Sequence, residues 1–130
     1  MILIDTSVWI EFFKQKEDFV QEIQAMLKSQ KVVTVEPIFS ELLYGVRNSR
    51  ERQIIEAYWK VLPRIEYTAN SMIQAALFAN SKDYHKLGIG LMDAIIIRSA
   101  LDGMHLIWTL DDRINRNLTQ NQIYHPGTTS

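Results

Sequence analysis

The chain has 130 residues, 47% of them apolar and 22% charged, the size and composition of one folded domain over 1–130 with a single core. It contains no cysteine, which excludes disulfides, zinc–thiolate sites and thiol catalysis, and its net charge of −1 gives no overall attraction to a polyanion. No apolar run approaches the roughly 20 residues that span a bilayer, and Met1–Ile4 is too short for a signal-peptide core, so the expected setting is the cytoplasm with no membrane partner.

Met1-Ile2-Leu3-Ile4 reads as a short buried strand, and Asp5-Thr6-Ser7 makes a polar corner before an apolar helix through Val8, Trp9, Phe12 and Phe13. Asp5 is placed there either as a plain helix cap or as a ligand group at the carboxyl end of a strand. Glu17 to Leu27 is amphipathic at helical spacing, and Lys31–Val35 predicts a second strand. Glu36-Pro37 opens a helix that carries Glu41 among Phe39, Leu42 and Leu43 and ends near Asn48, with proline tolerated in its first turn. A further helix is predicted over 50–60, stopped by Pro63, and a third strand over 64–67.

The spacing of Met72, Ile73, Ala76, Leu77 and Tyr84 predicts a helix from Asn70 to Leu87, broken by Gly88 and Gly90. Met92 to Leu101 is apolar nearly all round apart from Asp93, Arg98 and Ser99, the pattern of a helix deep in the core. Arg98 there either pairs with an acid or extends its head toward solvent. Gly103 ends that helix, and Met104–Trp108 is a fourth strand, again followed at once by a polar corner, Thr109-Leu110-Asp111-Asp112. Asp111–Leu118 suits a short helix, Ile123-Tyr124 a minimal fifth strand, and 125–130 a frayed tail. Short apolar strands alternating with helices imply an α/β fold in which helices cover both faces of a parallel sheet.

Four acids stand out, because each lies in or beside an apolar stretch: Asp5, Glu41, Asp93 and Asp111. Singly, each has an ordinary explanation as a cap, a turn residue or a solvent-facing helix position. Together they follow strands or open helices, so all four can project from one edge of a sheet. Clustered carboxylates repel one another unless they are protonated or hold cations. An oxygen-only set without cysteine or paired histidine suits Mg²⁺, or Mn²⁺, and such ions activate water against a phosphodiester.

At these positions the chain resembles the PIN-domain ribonucleases, and in particular the small VapC-type toxins of toxin–antitoxin pairs. The resembling segments are Ile2-Leu3-Ile4-Asp5-Thr6-Ser7-Val8, Ser40-Glu41-Leu42-Leu43-Tyr44-Gly45, Met92-Asp93-Ala94-Ile95-Ile96 and Trp108-Thr109-Leu110-Asp111, in the family's order and over almost the whole chain. The resemblance implies a three-layer α/β/α fold with a central parallel sheet in strand order 3-2-1-4-5. It also implies that Asp5, Glu41, Asp93 and Asp111 are the catalytic, metal-holding residues, with Thr6 and Thr109 orienting carboxylates or water around them. The activity implied is Mg²⁺-dependent endoribonuclease action by the toxin of a VapBC-type pair. Its partners would be an RNA substrate, a cognate antitoxin, a second copy of the chain, and DNA only through the antitoxin. Two other outcomes fit the same pattern: a PIN nuclease that is not a toxin, and a PIN fold kept as a catalytically silent interaction domain.

The chain departs from the family pattern where a further acid is common, two residues after the fourth: Arg113 and Ile114 follow, and Asp112 comes one residue early. Asp112 is therefore a candidate substitute. Because the net charge is −1 and the site is acidic, RNA must be met by a local basic rim, for which Arg113, Arg116, Lys14, Lys16, Arg47 and Arg50 are candidates. A haloacid dehalogenase-like phosphatase is disfavoured, since it needs a second Asp where Ser7 stands. The three histidines form no pair suited to metal or acid–base work. Trp9 and Trp108 are read as core, and the helices at 17–27 and 50–62 as the apolar dimer face, through Ile54, Ile55, Tyr58 and Trp59.

Overall fold

In the computed structural model, which describes residues 1–127, three short strands run parallel in the order β2-β1-β3. They are β1 (Ile2–Ile4), β2 (Val32–Val33) and β3 (Leu106–Trp108). The register sets Leu3 beside Val33 on one side and beside Ile107 on the other. Single parallel bridges extend the sheet outward, Thr34 to Arg64 beyond β2 and Ile107 to Ile123 beyond β3. The central part of the expected order 3-2-1-4-5 is thus formed, and single bridges stand in place of its two outermost strands.

Local chemistry explains the short edges. Before Arg64 stands Pro63, which offers a carbonyl to the Thr34 N–H (3.0 Å) but has no N–H of its own. Arg64 then bends away to place its guanidinium 3.6 Å from the Trp59 ring centroid. At the other edge the Tyr124 N–H reaches the Ile107 carbonyl (2.8 Å) straight after a 3₁₀ turn at Gln120–Gln122, which leaves no room for a longer pairing.

Seven helices are described around the sheet: α1 (Thr6–Phe13), α2 (Glu17–Lys28), α3 (Glu36–Tyr44), α4 (Ser49–Val61), α5 (Ser71–Ser81), α6 (Leu91–Asp102) and α7 (Asp112–Arg116). The helix expected to run from Asn70 to Leu87 is shorter. It stops at Ser81, Asp83 turns left-handed (φ 57°), and Tyr84–Leu87 continues as a 3₁₀ turn. That break lets Tyr84 fold inward against Phe78, ring edge to face at 5.7 Å, instead of pointing along a straight helix. The last helix is also shorter than expected and ends at Arg116. The expected tail lies partly at 128–130, outside the described residues.

All three strands are apolar, and β1 is buried on both faces. α6 buries Ala94, Ile95, Ile96, Ile97, Ser99 and Ala100, as its nearly uniform apolarity predicts. Each fully buried isoleucine or leucine of this kind contributes about 1.5–3 kcal/mol. Trp9 and Trp108 are core residues: Trp9 packs among Phe12, Phe13, Phe39 and Tyr58, and Trp108 between Phe19 and Tyr124. Arg98 donates to both Asp102 oxygens at 2.9 and 3.0 Å and lies over Phe78, so this basic residue of an apolar helix is spoken for on the surface.

The apolar face expected on α2 and α4 is largely used up inside the molecule. Ile23, Met26 and Ile55 are buried, Tyr58 joins the aromatic cluster of Trp9, and Trp59 tilts against Phe39. Ile54 and Val61 of α4 stay exposed, and a further exposed apolar patch lies on α5, where Met72, Ile73 and Leu77 are 54%, 60% and 60% accessible. Tyr58 of α4 turns inward because it packs on the rings of Trp9, Phe12 and Phe13 of α1, a pairing that sequence periodicity alone does not reveal.

Candidate functional site

The parallel register places the carboxyl ends of β1 and β3 side by side, and the Asp5 N–H bonds the Trp108 carbonyl at 2.9 Å. β1 also has β2 on its other flank, so the chain leaves this edge in two directions. Such a switch point opens a crevice where α/β sheets bind ligands. Asp5 sits in it as the residue before α1, yet its side chain does not cap that helix. The carboxylate instead accepts the Thr109 hydroxyl at 2.6 Å and the Ser7 hydroxyl at 3.1 Å, both on Oδ2. The two hydroxyls are themselves held from behind: Thr109 Oγ1 accepts the Asp111 N–H (3.1 Å), and Ser7 Oγ accepts the Leu110 N–H (3.0 Å). Two backbone donors of the β3–α7 corner therefore reach one oxygen of Asp5 through two hydroxyls. A further brace is the Asn115 amide, which donates to the Thr109 carbonyl at 3.0 Å.

Asp5 is buried, and a buried carboxylate kept in place needs such donors. Its Oδ1 takes no bond from a described residue. Ser7 has no part in the expectation from sequence, although its position two residues after Asp5 is the available signal. Thr109, expected to orient a carboxylate, donates to that of Asp5. Thr6 likewise donates to Glu41 Oε1 at 2.9 Å, which draws the exposed end of Glu41, on α3, toward the end of β1.

Asp93 lies in the first turn of α6, half-buried, with Gly90 in the cap position. Its pKa is raised, first by burial and then by the negative charges of Asp5, Asp111 and Glu41, while Arg113 pulls it back. Asp93 therefore feels the charges of the other three acids, and among the described residues no hydrogen-bond donor reaches its carboxylate. Asp111 is shifted the opposite way: the Arg113 side chain, followed by backbone N–H donors, holds its carboxyl below the ordinary value. Asp111 caps α7, accepting the Arg113 N–H at 2.8 Å, and its oxygens receive Arg113 Nε (3.3 Å) and Nη2 (3.1 Å).

The other candidates separate by position. Asp112 is exposed and lines a hollow with Thr109, Asn115, Arg116 and His125, to which none of the four acids contributes. Arg47 is committed to Glu51, at 2.8 Å from Nη2, and Lys16 to Glu11 at 3.3 Å. Lys14 lines a groove together with Glu41. Arg50, Lys14 and Arg116 form no ion pair with a described residue. Arg113, nominated for the rim, is instead bonded to Asp111 and to the Gly88 carbonyl, and its spacing of two residues from Asp111 is the available signal.

The donors fit a hard divalent cation in chemistry. They are carboxylate oxygens, Asp5 Oδ1 has no donor, and Asp93 carries a charge burden that a cation would relieve. They are not drawn together as a finished shell: among the described residues no three acidic or imidazole groups already stand close enough to share one ion. Three of the four acids are turned toward protein donors, Asp5 toward Thr109 and Ser7, Glu41 toward Thr6 and Asp111 toward Arg113.

A parallel α/β sheet with this acid cluster at its switch point defines a PIN-type fold, and residues 2–117 match the PIN domain family model. The chain belongs to the PIN domain family. Among solved structures it is similar to a toxin–antitoxin complex from Klebsiella pneumoniae (TM-score 0.75, 15% identity, 97% of this chain and 98% of that one). It is also similar to VapBC2 from Rickettsia felis bound to a promoter DNA fragment (TM-score 0.70, 18% identity, 95% and 96%). A third similar structure is Mycobacterium tuberculosis VapC20, described as a sarcin–ricin loop-cleaving toxin (TM-score 0.67, 17% identity, 92% and 98%). At these identities the likeness is one of fold. No match is found among curated proteins.

Proposed function

We propose that this chain is a divalent-metal-dependent endoribonuclease and the toxin of a VapBC-type pair. The observation that carries the reading is the parallel β1–β3 register, which sets Asp5 against the Thr109–Asp111 corner at the switch point of the sheet, with Glu41 drawn in by Thr6. These four residues would hold Mg²⁺ or Mn²⁺, which supplies an activated water and shields the charge of a phosphodiester. The chain's own groups do the rest. Thr109 and Ser7 fix Oδ2 of Asp5, so that Oδ1 faces the crevice with one orientation. Thr6 fixes Glu41, and Asp93 provides the carboxylate with the greatest gain from a neighbouring cation. Lys14, Arg50 and Arg116, which form no ion pair with a described residue, would make the basic rim for the RNA strand.

The antitoxin reading is supported by the complexes that the fold resembles and by a groove of about 320 Å³ next to Glu41. Ile10, Phe13, Leu42, Val46 and Ile54 make that groove apolar. A homodimer would pair through the exposed Met72, Ile73 and Leu77 of α5, because exposed apolar surface of this kind marks interfaces. The setting is the cytoplasm; among the described residues no helix is long and apolar enough to cross a membrane.

The test is RNA cleavage by the purified protein with Mg²⁺ and with EDTA, beside Asp5→Asn and Asp93→Asn. Cleavage by wild type with Mg²⁺ alone, lost in both variants, supports the reading. Cleavage that persists in EDTA contradicts it. The pairing of Asp111 with Arg113 favours a second reading, a catalytically silent PIN fold. Inactive wild-type protein that still captures the product of the neighbouring gene would select that one.

A further inference from the structure

Arg113 is a cation built into an anionic site. Three of its N–H groups meet the two oxygens of Asp111: the backbone N–H and Nε reach Oδ1 (2.8 and 3.3 Å), and Nη2 reaches Oδ2 (3.1 Å). The remaining arm, Nη1, donates to the Gly88 carbonyl at 2.8 Å. Gly88 has a left-handed backbone (φ 75°), and a Cβ there would stand 3.3 Å from Nη1 and 3.5 Å from Cδ of Arg113. The bare glycine is what lets the guanidinium settle against this loop. Gly88 leads into α6 and Asp93, while Asp111 leads into α7, so one side chain clasps the two segments that bring these acids together.

A guanidinium and a hard divalent cation want the same carboxylate oxygens and repel each other when adjacent. In this structure the guanidinium holds them. We propose that Arg113 is the resident counter-charge of the site, and that a divalent cation gains Asp111 only by exchange with it, so that Arg113 sets the metal affinity. This rests on the metal-site reading above. Arg113 is a positioning residue in that scheme: it acts on the metal through Asp111 and is not itself a ligand. After exchange the side chain stays at the crevice mouth, because its backbone is fixed in the first turn of α7.

The experiment is Mn²⁺ binding by the full chain, followed by the electron paramagnetic resonance signal of free Mn²⁺, for wild type, Arg113→Ala, Arg113→Gln and Asp93→Asn. Removing an exposed, forked ion pair should tighten Mn²⁺ binding about fivefold in Arg113→Ala and Arg113→Gln. The same two variants should melt lower than wild type in EDTA and gain more from added Mn²⁺. Unchanged or weaker Mn²⁺ binding in the folded variants overturns the exchange. If both variants fail to fold, Arg113→Lys keeps the charge but cannot fork two oxygens and reach Gly88, and it should bind Mn²⁺ more tightly than wild type; equal affinity overturns the proposal. Mn²⁺ binding that is lost in Asp93→Asn but indifferent to residue 113 rejects the exchange and spares the metal site. Binding absent from wild type and from every variant rejects both.

Discussion

The two strand-end corners look alike in sequence and behave in opposite ways. After β1, Asp5 is buried and leaves its helix uncapped, giving its carboxylate to the hydroxyls of Ser7 and Thr109. After β3, Asp111 is partly exposed, caps its helix and pairs with Arg113. The first corner spends its donors on neutral hydrogen bonds that fix a geometry while leaving the charge in the crevice. The second cancels a charge with a charge. An acid after a strand is therefore a position in a fold; its role is decided by the groups that the opposite corner brings to it.

The largest break in this contrast should come at Asp5. Asp5→Asn is expected to reduce RNA cleavage by at least about a hundredfold, the scale on which perturbed metal centres lose activity. The loss is read in a gel assay with Mg²⁺, with a melting curve as the check on folding; cleavage near the wild-type rate would remove Asp5 from the site. Thr109→Val tests the hydroxyl support on its own. It strips a 2.6 Å donor from a buried carboxylate and should cost about 1–3 kcal/mol of stability together with a tenfold or greater loss of activity. Urea titration and cleavage rates measure the two parts, and a variant as stable and active as wild type would show that Ser7 suffices.

Next comes pH, with opposite signs at the two acids. The raised pKa of Asp93 means that the folded chain holds its proton more tightly than the unfolded chain does. Its contribution to stability is fully present below the ordinary Asp value and is lost as pH rises through the raised one. Asp111, lowered by Arg113, contributes stability above the ordinary value and loses it as pH falls through the lowered one. In EDTA near neutral pH, Asp93→Asn should thus melt above wild type and Asp111→Asn below it, and both differences should fade in acid. Melting temperatures over a pH series test this; a lower melting point for Asp93→Asn at neutral pH would count against the charge burden. The smallest effect is expected at Asp112, which is exposed and lines a hollow that none of the four acids lines: Asp112→Asn should cleave within about twofold of wild type, as exposed changes generally do. A large loss there would bring it back into the metal site.

Much of this arrangement is legible in the residues. Ile2–Ile4 and Leu106–Trp108 are strands because they are short, apolar and followed at once by polar corners, and α6 is buried because only Asp93, Arg98 and Ser99 interrupt its apolar surface. The four acids could be picked out because carboxylates in apolar stretches need a reason. Less legible were the edges of the sheet, where Pro63 and the 3₁₀ turn before Ile123 cut pairing to single bridges. The fate of α4 was hidden too. Its helical periodicity gave an apolar face, but the aromatic cluster around Trp9 lies more than forty residues earlier in the chain and is what covers Tyr58.

By itself, then, the sequence determined the alternation of strands and helices, the buried helix α6 and the four acids, because these depend on residue type and on spacing within one element. Only the tertiary structure decided who holds them. Thr109 bonds Asp5 across 104 residues, Thr6 reaches Glu41 across 35, and Arg113 joins Gly88 across 25. Those pairings follow from the parallel register of β1 with β3 and from the packing of helices on that sheet. Hydrogen bonds and ion pairs depend on distances of a few ångströms, and such distances between remote residues exist only once the chain has closed on itself.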